Sequence, residues 1–291
     1  MYKQLASSGS FLRQAVKTAF SNGLFNALYG IYNVSFSQSF CYPCFLEEPT
    51  TLAELFAHAH ASGYRAMELW FRDDKFDDLV KTATDAGLAI ASMCGHNKLT
   101  VGMNDASQHD RIVAELRVSI DIAVKLGIKN LITFSGNRLE GQTDEQGIEA
   151  CVTCLKQILP YAEKHEINLN MELLNSKVNH AGYMCDSTAF GVEICKRTSS
   201  PRAKLLYDIY HMQIMEGDVI RTIQDNIQYI GHFHTAGNPG RNDMDDTQEL
   251  NYKGICDAIN KTNYDGFLAH EFTPKGDRLK ALADAFTLCN R

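Results

Sequence analysis

From residue 31 onward, short runs of alternating or wholly apolar residues give way repeatedly to longer stretches with apolar positions three and four apart. The first pattern marks strands and the second amphipathic helices. YNVSFSQSF (32–40) alternates at Tyr32, Val34 and Phe36 and opens the series as a strand. Helix 51–63 precedes strand 65–71, helix 76–87 precedes strand 88–96, and helix 109–127 precedes strand 129–136. The order continues through helix 144–165, strand 167–175, helix 187–198, strand 203–211, helix 218–227, strand 228–237, helix 252–263, strand 265–272 and helix 278–289. Gly63 and Gly87 stand where the first two helices should stop.

Strands that alternate with helices make a parallel sheet, and eight such units predict closure into an α/β (β/α)8 TIM barrel over residues 31–291. The competing open, doubly wound sheet usually carries a glycine-rich loop after its first strand. SFSQSFCYPCF has no glycine. Residues 1–30 read as an N-terminal extension. They are weakly basic and amphipathic, with the first acidic residue only at Glu47. Arg13 and Lys17 interrupt any apolar stretch, so a surface helix and a cytoplasmic location are expected, with a leader-like role as the alternative.

Composition narrows the partners. The 28 basic and 35 acidic residues give a net charge of −7, against a nucleic-acid partner. No apolar run approaches the roughly 20 residues of a membrane span. The nine cysteines are too irregular for a disulfide framework and predict reduced thiols. Cys41/Cys44 and Cys151/Cys154 form CxxC pairs, read here as small buried side chains rather than a zinc site.

In a barrel the C-terminal strand ends face one common mouth. The polar residues there are His96, Glu172, Asp208, His211, His234 and Glu271. Three carboxylates gathered with imidazoles would repel one another unless a cation sat among them. Glu172, Asp208, His234 and Glu271 come from the last four strands and make a three-oxygen, one-nitrogen set. That set suits Mn²⁺ or Mg²⁺, with Zn²⁺ or Co²⁺ also compatible. His232 shares a strand face with His234, so spacing leaves both eligible. Glu68 either reaches the mouth or pairs internally and is left out. His58, His60, His109, His165 and His180 are expected at the surface.

The stretches MELLNSKVNHAGYMCD (171–186), LLYDIYHMQIMEGD (205–218), IGHFHTAGNPGRNDMDDTQELNY (230–252) and GFLAHEFTP (266–274) resemble the hydroxypyruvate isomerase family, within the xylose-isomerase-like barrels. The resemblance covers roughly residues 31–280 and is strongest from Glu172 onward. It implies one divalent metal on Glu172, Asp208, His234 and Glu271, and substrate contacts from His211, Arg241 and His96. HFHTAG carries a histidine where hydroxypyruvate isomerases proper tend to carry glutamine and ketose epimerases histidine. The implied activity is a sugar or keto-acid isomerase or epimerase. It would remove a proton α to a carbonyl through an enediolate, with Glu172 and Glu271 as acid and base. A ketose 3-epimerase is the close alternative, and a non-catalytic sugar-binding barrel the alternative of another class. A DNA-repair enzyme on this barrel is disfavoured by the net charge and by the acidic run DMDD (243–246). The expected partner is a small molecule, and such barrels often associate into homo-oligomers.

Overall fold

The computed structural model describes residues 35–291. The expected extension (1–30), and Tyr32 and Val34 of the first expected strand, lie outside the described residues. In chain order the elements are β1 (Ser37–Phe40), α1 (Tyr42–Phe45), α2 (Leu52–Ser62), β2 (Ala66–Glu68), α3 (Phe76–Asp85), β3 (Ala89–Cys94), α4 (His109–Leu126), β4 (Asn130–Thr133), α5 (Asp144–His165), β5 (Asn168–Glu172), α6 (Thr188–Thr198), β6 (Ala203–Asp208), α7 (Ile209–Met215), α8 (Val219–Asn226), β7 (Ile230–Thr235), α9 (Tyr252–Asn260), β8 (Phe267–His270) and α10 (Arg278–Cys289).

All strand pairings are parallel, in the order β1-β8-β7-β6-β5-β4-β3-β2. A parallel bridge between Cys41 and Glu68 joins the two ends of that order. The sheet is therefore a nearly closed eight-stranded ring, a (β/α)8 TIM barrel as the alternation predicted. Local chemistry makes the helices start and stop. Thr51 and Glu54 form a capping box at α2, and Thr143 and Gln146 another at α5. Gly63 ends α2 at φ 113°, a conformation only glycine adopts without strain.

Strand residues alternate between two environments. On the outer face Phe40 packs edge-on against Phe45, Phe56 and Tyr64 beneath the helical layer. The inner face is unusually polar. Asn130 Oδ1 accepts from the side chains of Asn168 and Asn170, and Ser39 donates to Glu68. These bonds offset much of the cost of burying the groups, although Asn170 Oδ1 has no hydrogen-bond partner among the described residues.

Candidate metal centre and active site

Glu172 ends β5, Asp208 ends β6, His234 is next to last in β7 and Glu271 follows β8. Each offers one ligand atom, and those atoms lie within 4.8 Å of one another. All four residues are buried, none more than 7% exposed. His234 Nδ1 stands 3.0 Å from Glu271 Oε2, 3.6 Å from Glu172 Oε1 and 4.0 Å from Asp208 Oδ2.

The carboxylates are not equivalent. Burial pushes Glu271 up, but Arg241 and His234 outweigh it and hold the group well below the usual carboxylate range. Arg241 contacts Glu271 Oε2, and Trp70 donates to Glu271 Oε1 at 2.7 Å. Glu172 is raised, chiefly by burial. Its side chain has no hydrogen bond of ordinary length among the described residues. Burial likewise raises Asp208, whose Oδ1 caps α7 by accepting the His211 N–H at 2.9 Å. Its Oδ2 turns to the cluster, 3.6 Å from Arg241 Nη2.

These residues fit a divalent cation. Three crowded carboxylates have one guanidinium and one imidazole against them, and two of the three are pushed toward neutrality by burial. A hard or borderline dication on three oxygens and one nitrogen would relieve that. A second trio, Cys41, Glu68 and His234, also lies within ligand distance. Burial pushes the Cys41 thiol well up, which keeps its proton on and makes it the poorer ligand.

Glu68, left outside the site by sequence reasoning, lies directly beneath it. Its Oε2 is 3.1 Å from His234 Nε2, and its Oε1 is 2.7 Å from His232 Nε2. His232, which shared the strand face with His234, thus points at Glu68. The signal for Glu68 was present: a lone carboxylate in the apolar strand RAMELWF, the same cost of burial that marks Glu172. Trp70 carried no comparable signal.

Arg241, in the loop after β7, reaches the cluster. His211 stands beside it, with Nε2 3.6 Å from Asp208 Oδ2. His96 is differently engaged. Its Nδ1 donates to Asn97 O at 3.1 Å, and its Nε2 accepts the Phe134 N–H at 3.0 Å. Burial lowers it to about 4, and Glu115 and Arg111 are the charges acting on it. No ring nitrogen of His96 remains for a substrate. Two histidines expected at the surface are tied inward: His109 is buried with Nε2 2.9 Å from Met103 O, and His58 Nε2 lies 2.9 Å from Leu279 O.

A ring of parallel strands with an acidic, histidine-bearing cluster at its C-terminal rim defines an α/β barrel whose buried ligand set is consistent with a divalent metal. The chain belongs to the xylose isomerase-like TIM barrel family, whose model matches residues 56–289. It is 25% identical over 244 residues to "Putative hydroxypyruvate isomerase" of Drosophila melanogaster, covering 82% of this chain and 92% of that protein. Among solved structures it resembles an AP endonuclease of family 2 from Brucella melitensis, with a TM-score of 0.72 and 21% identity over 85% of this chain and 96% of that one. It also resembles a D-psicose 3-epimerase, with a TM-score of 0.70 and 18% identity over 88% of this chain and all of that one (100%). At these identities the structural likeness speaks for the fold alone.

Proposed function

We propose that this chain is a divalent-metal-dependent isomerase or epimerase that moves a proton α to the carbonyl of a small sugar or keto acid. The observation that carries the reading is the convergence of Glu172, Asp208, His234 and Glu271 on one point of the barrel mouth. Those four would hold the ion, Mn²⁺ or Mg²⁺ by their donor set. When bound, the ion supplies positive charge against the enediolate that forms as the α proton leaves.

The chain's own residues divide the remaining work. Glu172, raised by burial and free of strong donors, takes and returns the proton. Glu271, held ionised by Arg241 and His234, is its counterpart across the mouth. Arg241 and His211 orient substrate oxygens, the arginine as a fixed-charge fork. The hydroxypyruvate isomerase relatives favour a keto acid as substrate. A second reading, C3 epimerisation of a ketose, is supported by the placement of two carboxylates on β5 and after β8, with β6 and β7 between them. Such carboxylates can serve two faces of one carbon.

The test is solvent exchange in D2O with hydroxypyruvate or D-psicose, after chelation and re-addition of Mn²⁺ or Mg²⁺. Metal-dependent deuterium incorporation is expected, with Glu172→Gln slowing it by about 10²-fold or more. Exchange at the wild-type rate in that variant would sink the base assignment. Exchange indifferent to chelation would sink the metal.

A further inference from the structure

Asn175 follows β5 by three residues and is fully buried. Its Oδ1 accepts the backbone N–H groups of Val178 at 3.0 Å and Asn179 at 2.8 Å. Its Nδ2 lies 2.8 Å from Asn179 Oδ1 and 2.6 Å from His211 Nδ1. Tyr210 also donates to Asn179 Oδ1, at 2.9 Å, so that oxygen acts as an acceptor. All four hydrogen-bonding positions of the Asn175 amide are therefore filled. Turning the amide over would set its oxygen against Asn179 Oδ1 and its NH2 against two N–H donors. Its orientation is thus dictated by the network.

The consequence falls on His211. Facing an NH2 donor, Nδ1 must present a lone pair, so the ring proton sits on Nε2. That nitrogen is buried and has no hydrogen-bond partner among the described residues. Asp208 Oδ2, at 3.6 Å, is beyond hydrogen-bond length. A buried N–H without an acceptor is costly, and this one lies beside the rim cluster.

We infer that Asn175 is the positioning residue that locks His211 as a neutral Nε2–H donor, held ready for a substrate oxygen. The inference rests on the rim being the sugar or keto-acid site proposed above. Neither Asn175 nor the tautomer follows from strand ends or metal-ligand spacing, because both depend on how the β5–α6 loop folds over α7.

The discriminating variant is Asn175→Asp. Aspartate retains an oxygen for the Val178 and Asn179 amides, so the loop keeps its bonds. It also presents an oxygen to His211 Nδ1, which then requires the proton. Full-length wild type and variant, labelled with ¹⁵N in histidine and supplied with Mg²⁺, are compared by two-bond ¹H–¹⁵N spectra. The His211 signal is assigned by its loss in His211→Gln. The expected result is a proton on Nε2 and none on Nδ1 in wild type, with the proton on Nδ1 and none on Nε2 in Asn175→Asp. Deuterium exchange of hydroxypyruvate or D-psicose should fall about 100-fold in kcat, the scale of losing one oriented donor, with KM changing less.

A wild-type proton on Nδ1 would overturn the inference without any variant. So would identical spectra for the two proteins, or a switched tautomer that leaves kcat unchanged. If the tautomer switches as expected but neither protein exchanges either compound, the reaction assigned to the rim fails while the Asn175–His211 lock stands.

Discussion

Glu68 shows how much one side chain can carry. It accepts from Ser39 at 2.7 Å and meets both His232 and His234. Burial raises its carboxyl, but the two imidazoles, His232 first, outweigh burial and hold it ionised. An ionised carboxylate at Nε2 fixes the proton of His234 there and leaves Nδ1 for the rim cluster. Such partners of a metal-ligating histidine typically affect metal affinity 10–100-fold. Glu68→Gln should therefore weaken Mn²⁺ binding by about that factor in a calorimetric titration, in protein that still melts cooperatively. Unchanged affinity would mean that Glu68 serves only the barrel interior. Residue type and strand-end position together were enough to nominate Glu172, Asp208 and Glu271, because a carboxylate inside an apolar strand is too costly to be idle. The same logic applied to Glu68, but it lies in the middle of the stretch 65–71 rather than at its end, so its place relative to the rim could not be read.

At the scale of elements, strand and helix identities were legible and their ends were not. The stretch 203–211 reads as one strand, since Tyr, Ile and Tyr follow the apolar run. The structure ends β6 at Asp208 and starts α7 at Ile209, because the Asp208 side chain captures the His211 N–H and caps a helix. One aspartate thus terminates a strand, opens a helix and faces the site. The loops after β3 and β4 also behave as a unit. Met103 N–H donates to Phe134 O at 3.1 Å, Asn104 N–H to Ser135 O at 2.8 Å and Asn137 N–H to Thr100 O at 2.9 Å. Their backbones approach so closely that a Cβ on Gly102 would stand 2.3 Å from Gly136 N and 2.4 Å from Ser135 C. Backbone cannot step aside as a flexible side chain can. Gly102→Ala should cost about 2 kcal/mol or more in urea unfolding, and a wild-type midpoint would show that the two loops separate freely.

For the whole molecule, the polar interior sets a pH limit. His270 Nε2 lies 2.9 Å from Gln38 Oε1 and its Nδ1 lies 2.7 Å from Thr235 Oγ1. Burial lowers His270 to about 3 and His96 to about 4. Unfolded, each would titrate near 6.5. As pH falls below 6.5, the unfolded chain gains protons that the folded barrel refuses, so stability drops. The loss continues to about pH 4 for His96 and about pH 3 for His270, where the folded forms protonate too. The slope per histidine approaches about 1.4 kcal/mol per pH unit. Urea unfolding of metal-free protein between pH 7 and 5 should show it, and His270→Gln should flatten it. A stability that stays level down to pH 5 would contradict neutral, buried imidazoles.

Periodicity and the expense of burying charge, both local properties of the chain, were sufficient for the eight βα units, for their closure and for the carboxylates Glu172, Asp208 and Glu271 at the strand ends. They could not choose between His232 and His234, which share a face and are separated only by height in the ring. They could not tell that backbone groups occupy both nitrogens of His96, that Arg241 takes Glu271 and leaves Glu172 without a strong partner, or that Asn175 sets the ring proton of His211 toward the rim cluster. Those outcomes depend on distances between segments far apart in the chain. Such distances exist only after the strands have paired in register and the loops have packed over the rim.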